Sequence, residues 1–182
     1  MTLVLVCALP IWAAFVTSGD VTDPLVSTAE ASEPLKLEEV STADDLRAKI
    51  TNGKSVKLMA DISITSTLEI AKSLTLDLNG HVLKMTGSGS VLRVKKDPHP
   101  ATLTITDSSA AKSGTITGGT GTKEEYWTHY TLGGAVYLEE GTTLKLEGGT
   151  ITGSSSDSSV FIRTGATFVM TGGTITGETV GV

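Results

Sequence analysis

Residues 136–153 read Val136-Tyr137-Leu138-Glu139-Glu140-Gly141-Thr142-Thr143-Leu144-Lys145-Leu146-Glu147-Gly148-Gly149-Thr150-Ile151-Thr152-Gly153, and a close copy runs from Val160-Phe161-Ile162 to Gly172-Gly173-Thr174-Ile175-Thr176-Gly177. Gly149 and Gly173 stand 24 positions apart, about one turn of a β-solenoid. A unit this short cannot bury its own apolar residues, so it has to stack on a neighbour. Alternation sends Val136, Leu138, Leu144, Leu146 and Ile151 to the inside. One coil on, Val160, Ile162, Phe168, Met170 and Ile175 occupy the same columns, because side chains along a strand point to opposite faces in turn. The paired glycines fall where the path bends and the backbone needs angles other residues avoid.

The same punctuation extends toward the N-terminus. Val56-Lys57-Leu58, Ile62-Ser63-Ile64, Leu68-Glu69-Ile70, Leu74-Thr75-Leu76-Asp77-Leu78, Leu92-Arg93-Val94 and Leu103-Thr104-Ile105 all alternate apolar and polar, as half-buried strands do. Asn79 is placed in a turn, where its side chain can satisfy corner backbone groups. Gly114-Thr115-Ile116-Thr117-Gly118 matches the later motif but precedes it by 35 positions, 11 more than one coil. The surplus predicts a lateral loop at about 120–132. About five coils are expected over 56–182, and Val180-Gly181-Val182 reads as a further strand begun, as in a piece of a longer rod.

Ahead of the coils, Ser41 to Ile50 reads as a short helix within 41–55. Thr42 caps it, Leu46 and Ile50 share a face, and Asn52-Gly53 ends it. A helix there would cover the first sheet edge, which otherwise invites pairing with other chains. Residues 19–40, rich in Thr, Ser, Glu, Asp and Pro, fit a flexible linker. Residues 1–18 contain the apolar run Leu3 to Val16, too short for a membrane span of about 20 residues and the length of a signal-peptide core. The expectation is therefore a secreted or cell-surface protein with no transmembrane span in the mature chain.

Charge narrows the partners. The chain carries a net charge of −6, but eight of its 20 acids precede Arg47. The repetitive region is nearly neutral, without the basic stripe that nucleic acid requires. The single cysteine, Cys7, lies in the apolar leader, so the coils hold neither a disulfide nor a thiolate metal site. His81 and His99 have no further histidine at ligand spacing, and Gly118-Gly119-Thr120-Gly121 lacks the Lys-Ser/Thr pair of a phosphate loop. No cofactor and no metal are expected.

Leu76-Asp77-Leu78-Asn79-Gly80-His81, followed by the Gly-Gly-Thr-Ile-Thr-Gly units, resembles the right-handed parallel β-helix, or pectin-lyase-like, superfamily. Within it the chain is most similar to repetitive adhesin-like surface proteins of bacteria. The resemblance spans roughly 58–182 and implies an all-β, right-handed parallel β-helix with a short N-terminal capping helix. It leaves activity open, because this fold carries lyases, hydrolases, adhesins and tail spikes alike.

The chemistry that stands out is aromatic. Tyr126, Trp127 and Tyr130 crowd the lateral loop, while Tyr137 and Phe161, 24 apart, are placed outward in one column that alignment extends to Arg93. Aromatic faces beside polar groups suit sugar rings, so these six residues form the candidate glycan-binding set. The plain structural alternative is that the loop packs back onto Tyr137 and Phe161. No catalytic constellation is visible: Glu139 and Arg163, 24 apart, read as a cross-coil ion pair, and no spacing singles out a carboxylate pair among Glu124, Glu125, Glu139 and Glu147. The reading is a non-catalytic surface segment offering its loop to a polysaccharide or host-surface glycan. The alternatives are a fragment of a polysaccharide lyase or hydrolase with catalytic coils outside this chain, and a pure spacer.

Overall fold

The 24-residue spacing becomes a vertical registry. Val136, Tyr137 and Leu138 lie directly beside Val160, Phe161 and Ile162, and Thr150-Ile151-Thr152 beside Thr174-Ile175-Thr176. A computed structural model describes residues 36–124, 127–153 and 158–177, all within the unit Pro34–Val182.

The chain enters through strand β1 (Glu38–Val40) and helix α1 (Ala43–Thr51). The first coil then carries β2 (Val56–Leu58), β3 (Ile62–Ile64) and β4 (Leu68–Ile70), and the second β5 (Leu74–Asp77), β6 (Val82–Met85) and β7 (Leu92–Val94). The third holds β8 (Thr102–Thr106) and β9 (Thr115–Gly118), then departs into β10 (Thr122–Glu124) and β11 (Trp127–Leu132) before returning through β12 (Val136–Leu138). The fourth is β13 (Thr143–Leu146), β14 (Thr150–Thr152) and β15 (Val160–Ile162), and a fifth opens with β16 (Thr167–Met170) and β17 (Thr174–Thr176).

Successive strands visit three sheets in rotation. The first sheet stacks β1-β2-β5-β8-β13-β16, the second β3-β6-β9-β14-β17, and the third β4-β7-β12-β15, every pairing parallel. Stacked parallel sheets with one helix are consistent with a parallel β-helix, and the coil count agrees with the spacing of the repeats.

Like residues share columns inside. Val56, Leu76, Ile105 and Leu146 run up the first sheet, Ile62, Leu83, Ile116 and Ile151 up the second, and Leu68, Leu92, Val136 and Val160 up the third, all buried. Each such aliphatic side chain is worth about 1.5–3 kcal/mol on full burial. The helix closes one end of this core as expected. Thr42 Oγ1 accepts the Asp45 amide at 3.3 Å, Leu46 and Ile50 are buried, and Gly53 takes a positive φ beyond the last turn.

Two sequence boundaries are corrected. The linker read over 19–40 stops short, because Glu38–Val40 forms β1, pairs with Val56–Leu58 and buries Val40. Three residues are too few for alternation to register; what fixes them is the open edge of β2 and the ion pair of Glu38 with Lys49 on α1. The lateral loop at 120–132 is largely an antiparallel hairpin, β10 against β11, with Lys123 opposite Thr131 and an irregularity after Lys123. The leader and residues 19–35 of the linker lie outside the described residues. Among the described residues no helix is long and apolar enough to cross a membrane.

Candidate functional site

The outer face of the third sheet carries one polar-aromatic column. Glu69, Arg93, Tyr137 and Phe161 sit in register on β4, β7, β12 and β15. The structure thus brings together three members of the sequence-read set. Tyr126 lies outside the described residues, and so do the side chains of Trp127 and Tyr130, whose backbone belongs to β11.

Within the column the parts hold one another. Tyr137 and Phe161 have ring centroids 5.3 Å apart at 33°, a tilted contact of the kind aromatic pairs favour. The Arg93 guanidinium lies over the Tyr137 ring, 5.3 Å from its centroid, within cation–π range. Arg93 Nε also donates to Glu139 Oε1 at 2.8 Å.

Tyr137 departs from expectation. It is placed on the outer face, and it does stand apart from the aliphatic core, yet it is 0% exposed. A wholly covered ring offers no surface to a sugar. Its part is to support Arg93, while Arg93 and Phe161 keep partial exposure. Burial in this column depends on what passes over it, and outward alternation alone does not reveal that. Close approach is visible at Gly133, where the chain returns from β11 with φ +64° and an added Cβ would lie 3.0 Å from Phe161 Cβ.

Glu139 is the hub of an ion cluster beside the column. Its carboxylate meets Arg93, takes the Lys96 amide at 2.8 Å and lies 3.4 Å from Lys95 Nζ. Burial pushes its pKa up, but the Lys96 amide and the charges of Arg93 and Lys95 outweigh that and hold it below the ordinary carboxylate value. Lys95 also faces Glu69 at 3.8 Å. The signal for this cluster is the in-register column itself, readable only once β7 is aligned beneath β12.

Between this face and the hairpin runs a groove of about 460 Å³. It is lined by Glu69 and Arg93 of the third sheet, by Thr122, Lys123 and Thr131 of the hairpin, and by Thr67, Ser88-Gly89 and Thr120-Gly121 between strands. The lining is hydroxyl-rich and pinned: Thr120 Oγ1 accepts the Gly89 amide at 3.1 Å, and the Thr122 and Ser90 hydroxyls meet at 2.8 Å. Gly119 makes the departure into the hairpin possible, because at φ +79° an added Cβ would lie 2.1 Å from the Gly134 carbonyl oxygen. The groove can offer hydroxyl, guanidinium, ammonium and carboxylate groups to a ligand rich in hydrogen-bonding edges.

Elsewhere, Asp61 takes the Val82 amide at 2.9 Å and faces His81 Nδ1 at 3.3 Å, which secures a turn. Among the described residues no group of three or more His, Cys, Asp or Glu could hold a metal ion.

The architecture and the groove define a class, a stack of parallel β coils with a hairpin-walled polar trough on one flank. No protein-family model matches the chain, and comparison with curated proteins and with solved structures finds no match.

Proposed function

We propose that this chain is a non-catalytic, extracellular segment of a bacterial adhesin-like surface protein, built as a right-handed β-helix of the pectin-lyase-like class, and that it binds glycan in the groove beside its lateral hairpin. The observation that carries the reading is the groove's lining. Thr67, Ser88, Thr120 and Thr122 line the groove together with Arg93, whose guanidinium lies over Tyr137 and is bonded to Glu139. A positioned planar donor among short hydroxyls suits a polyhydroxylated ligand, because the donor's ordering cost is met before binding. The apolar leader supports export, and the near balance of acids and bases over the coils supports a contact surface of little net charge.

Calorimetric titration of the protein with plant, mucin and bacterial-wall polysaccharides tests this. Saturable binding to one glycan class, weakened at least tenfold by Arg93→Gln at unchanged melting temperature, supports it; about 1.4 kcal/mol corresponds to such a loss. Silence across the panel from folded protein refutes it and leaves a structural spacer. Release of reducing ends or unsaturated products from any of these polymers would instead favour the polysaccharide-degrading alternative.

A further inference from the structure

Asn52 and Asn79 are the only side-chain amides in the chain, and each is followed by a glycine, Gly53 and Gly80. Asparagine is chemically labile, and most so before glycine, where no side chain shields the next backbone nitrogen. That nitrogen bonds to the asparagine side-chain carbonyl carbon and gives its proton to solvent base. The side-chain nitrogen leaves as ammonia, and water then opens the cyclic imide to aspartate or isoaspartate. The step needs a glycine amide free to lose its proton and an asparagine side chain free to swing onto it.

The corner between β5 and β6 denies both conditions at Asn79. Residues 78–81 form a tight turn, closed by the His81 amide on the Leu78 carbonyl at 2.8 Å. The Gly80 amide is donated to Asp107 Oδ1 at 2.9 Å, and a carboxylate there opposes deprotonation of that nitrogen. Asn79 Nδ2 donates to the Leu58 carbonyl at 2.9 Å, and its Oδ1 accepts the Ser108 hydroxyl at 3.4 Å. The side chain is thus tied to the first coil on one side and to the third on the other.

Asn52 meets neither restraint. It stands exposed at the C-terminal cap of α1, and among the described residues no hydrogen bond holds its side chain. The Gly53 amide is donated to the Ile50 carbonyl at 2.8 Å, in the last helical turn, where helices fray. We propose that Asn52 is a site of spontaneous deamidation in the folded protein, and that Asp107 and the coil contacts hold Asn79 back from the same reaction. The product places a new carboxylate at the C-terminal end of α1, where the helix dipole is already negative. The change therefore weakens the helix that closes one end of the core.

The test is mass spectrometry of tryptic peptides 50–54 and 73–84, which separate the two sites, after the full chain is incubated in mildly alkaline buffer. In folded protein the deamidation mass gain should accumulate at Asn52 at least about tenfold faster than at Asn79, since a closed segment reacts only on local opening. In urea the two rates should converge to within about threefold, because both sites then share the chemistry of an open chain. Asn52→Ser should abolish the gain in peptide 50–54 without moving the melting temperature. Asp107→Ala, incubated below its own melting temperature, should speed Asn79 at least about tenfold and leave Asn52 unchanged. Equal rates at the two sites in the folded parent, or no gain at Asn52, overturn the proposal whatever the stability of the variants. An unchanged Asn79 rate in Asp107→Ala overturns the part given to Asp107.

Discussion

Asp77 and Asp107 exchange amides across the boundary between the second and third coils. Asp77 Oδ1 accepts the Ser108 amide at 2.8 Å and the Asn79 amide at 3.0 Å, while Asp107 Oδ1 accepts the Gly80 amide at 2.9 Å and the Ser109 amide at 3.0 Å. Asp107 Oδ2 adds the Gly114 amide at 2.7 Å. Each residue is 1% exposed. Burial of the two side chains is tolerated because these oxygens accept hydrogen bonds from backbone amides. The pair staples the corner opposite the ladders, where strand pairing is interrupted by the Asn79-Gly80 turn at φ 46° and 80°.

Removing the staple should be costly. Asp107→Ala strands three amides, that of Gly114 buried and those of Gly80 and Ser109 partly so, and should lower unfolding free energy by about 3 kcal/mol, since a hydrogen bond to a charged group is worth about 1.5–3 kcal/mol. Asp107→Asn keeps one acceptor oxygen and should cost less. Urea denaturation of the two variants checks this; an alanine variant as stable as the parent would mean the amides find other partners.

Acid should weaken the fold from a defined point. Burial raises the pKa of Asp107, and hydrogen bonds from Ser109, Gly114 and Gly80 bring it below its ordinary 3.8; Glu139 is held below its ordinary 4.5. Both carboxyls therefore bind protons less readily folded than unfolded. Their stabilisation is complete above those ordinary values and is lost as pH falls through them toward the folded values. Denaturation midpoints should be level in this respect from neutrality to about pH 5 and fall steadily below about pH 4. Glu139→Gln should flatten part of that acid limb, and an unchanged slope would remove Glu139 from the account.

The hairpin depends on one glycine. Gly119→Ala meets both a left-handed backbone and the Gly134 carbonyl, so it should cost about 2–4 kcal/mol, combining strain of about 1–3 kcal/mol with a forced backbone shift. Because Gly119 directs the chain into β10, glycan affinity should fall with stability. A thermal melt and a titration on the same sample read both.

Tyr137 separates support from contact. Tyr137→Ala should cost about 3–5 kcal/mol as a large buried ring is lost, and Arg93 would lose its platform. Tyr137→Phe keeps the ring beneath Arg93 and should retain glycan affinity within about twofold, since the stacked ring supplies the support. A large affinity loss in the Phe variant would mean that the hydroxyl, and not the ring alone, keeps Arg93 in place.

Much of the scaffold was legible in the chain. The 24-residue spacing of Gly149 and Gly173, the inward columns through Ile116 and Ile151, the Thr42 cap and the Asn79 turn all appear in the structure where local rules put them. Those rules act over a few residues or one repeat, so the sequence displays them directly. The strand at Glu38–Val40 was not legible, because its three residues become a strand only against the edge of β2. Nor was the surplus at 120–132 legible as a hairpin, since the pairing of Thr122 with Leu132 and Lys123 with Thr131 shifts register after Lys123.

The site divides along the same line. By itself the sequence determined a stack of parallel β coils, its capping helix, and an outer column containing Arg93, Tyr137 and Phe161, because alternation and repeat length fix which face and which coil a residue joins. Only the tertiary structure decided that Tyr137 is covered and that Glu139 meets Arg93 and Lys95. Those outcomes depend on where the hairpin and the turns of three different coils come to rest, and contacts between distant segments leave no periodic mark in the chain.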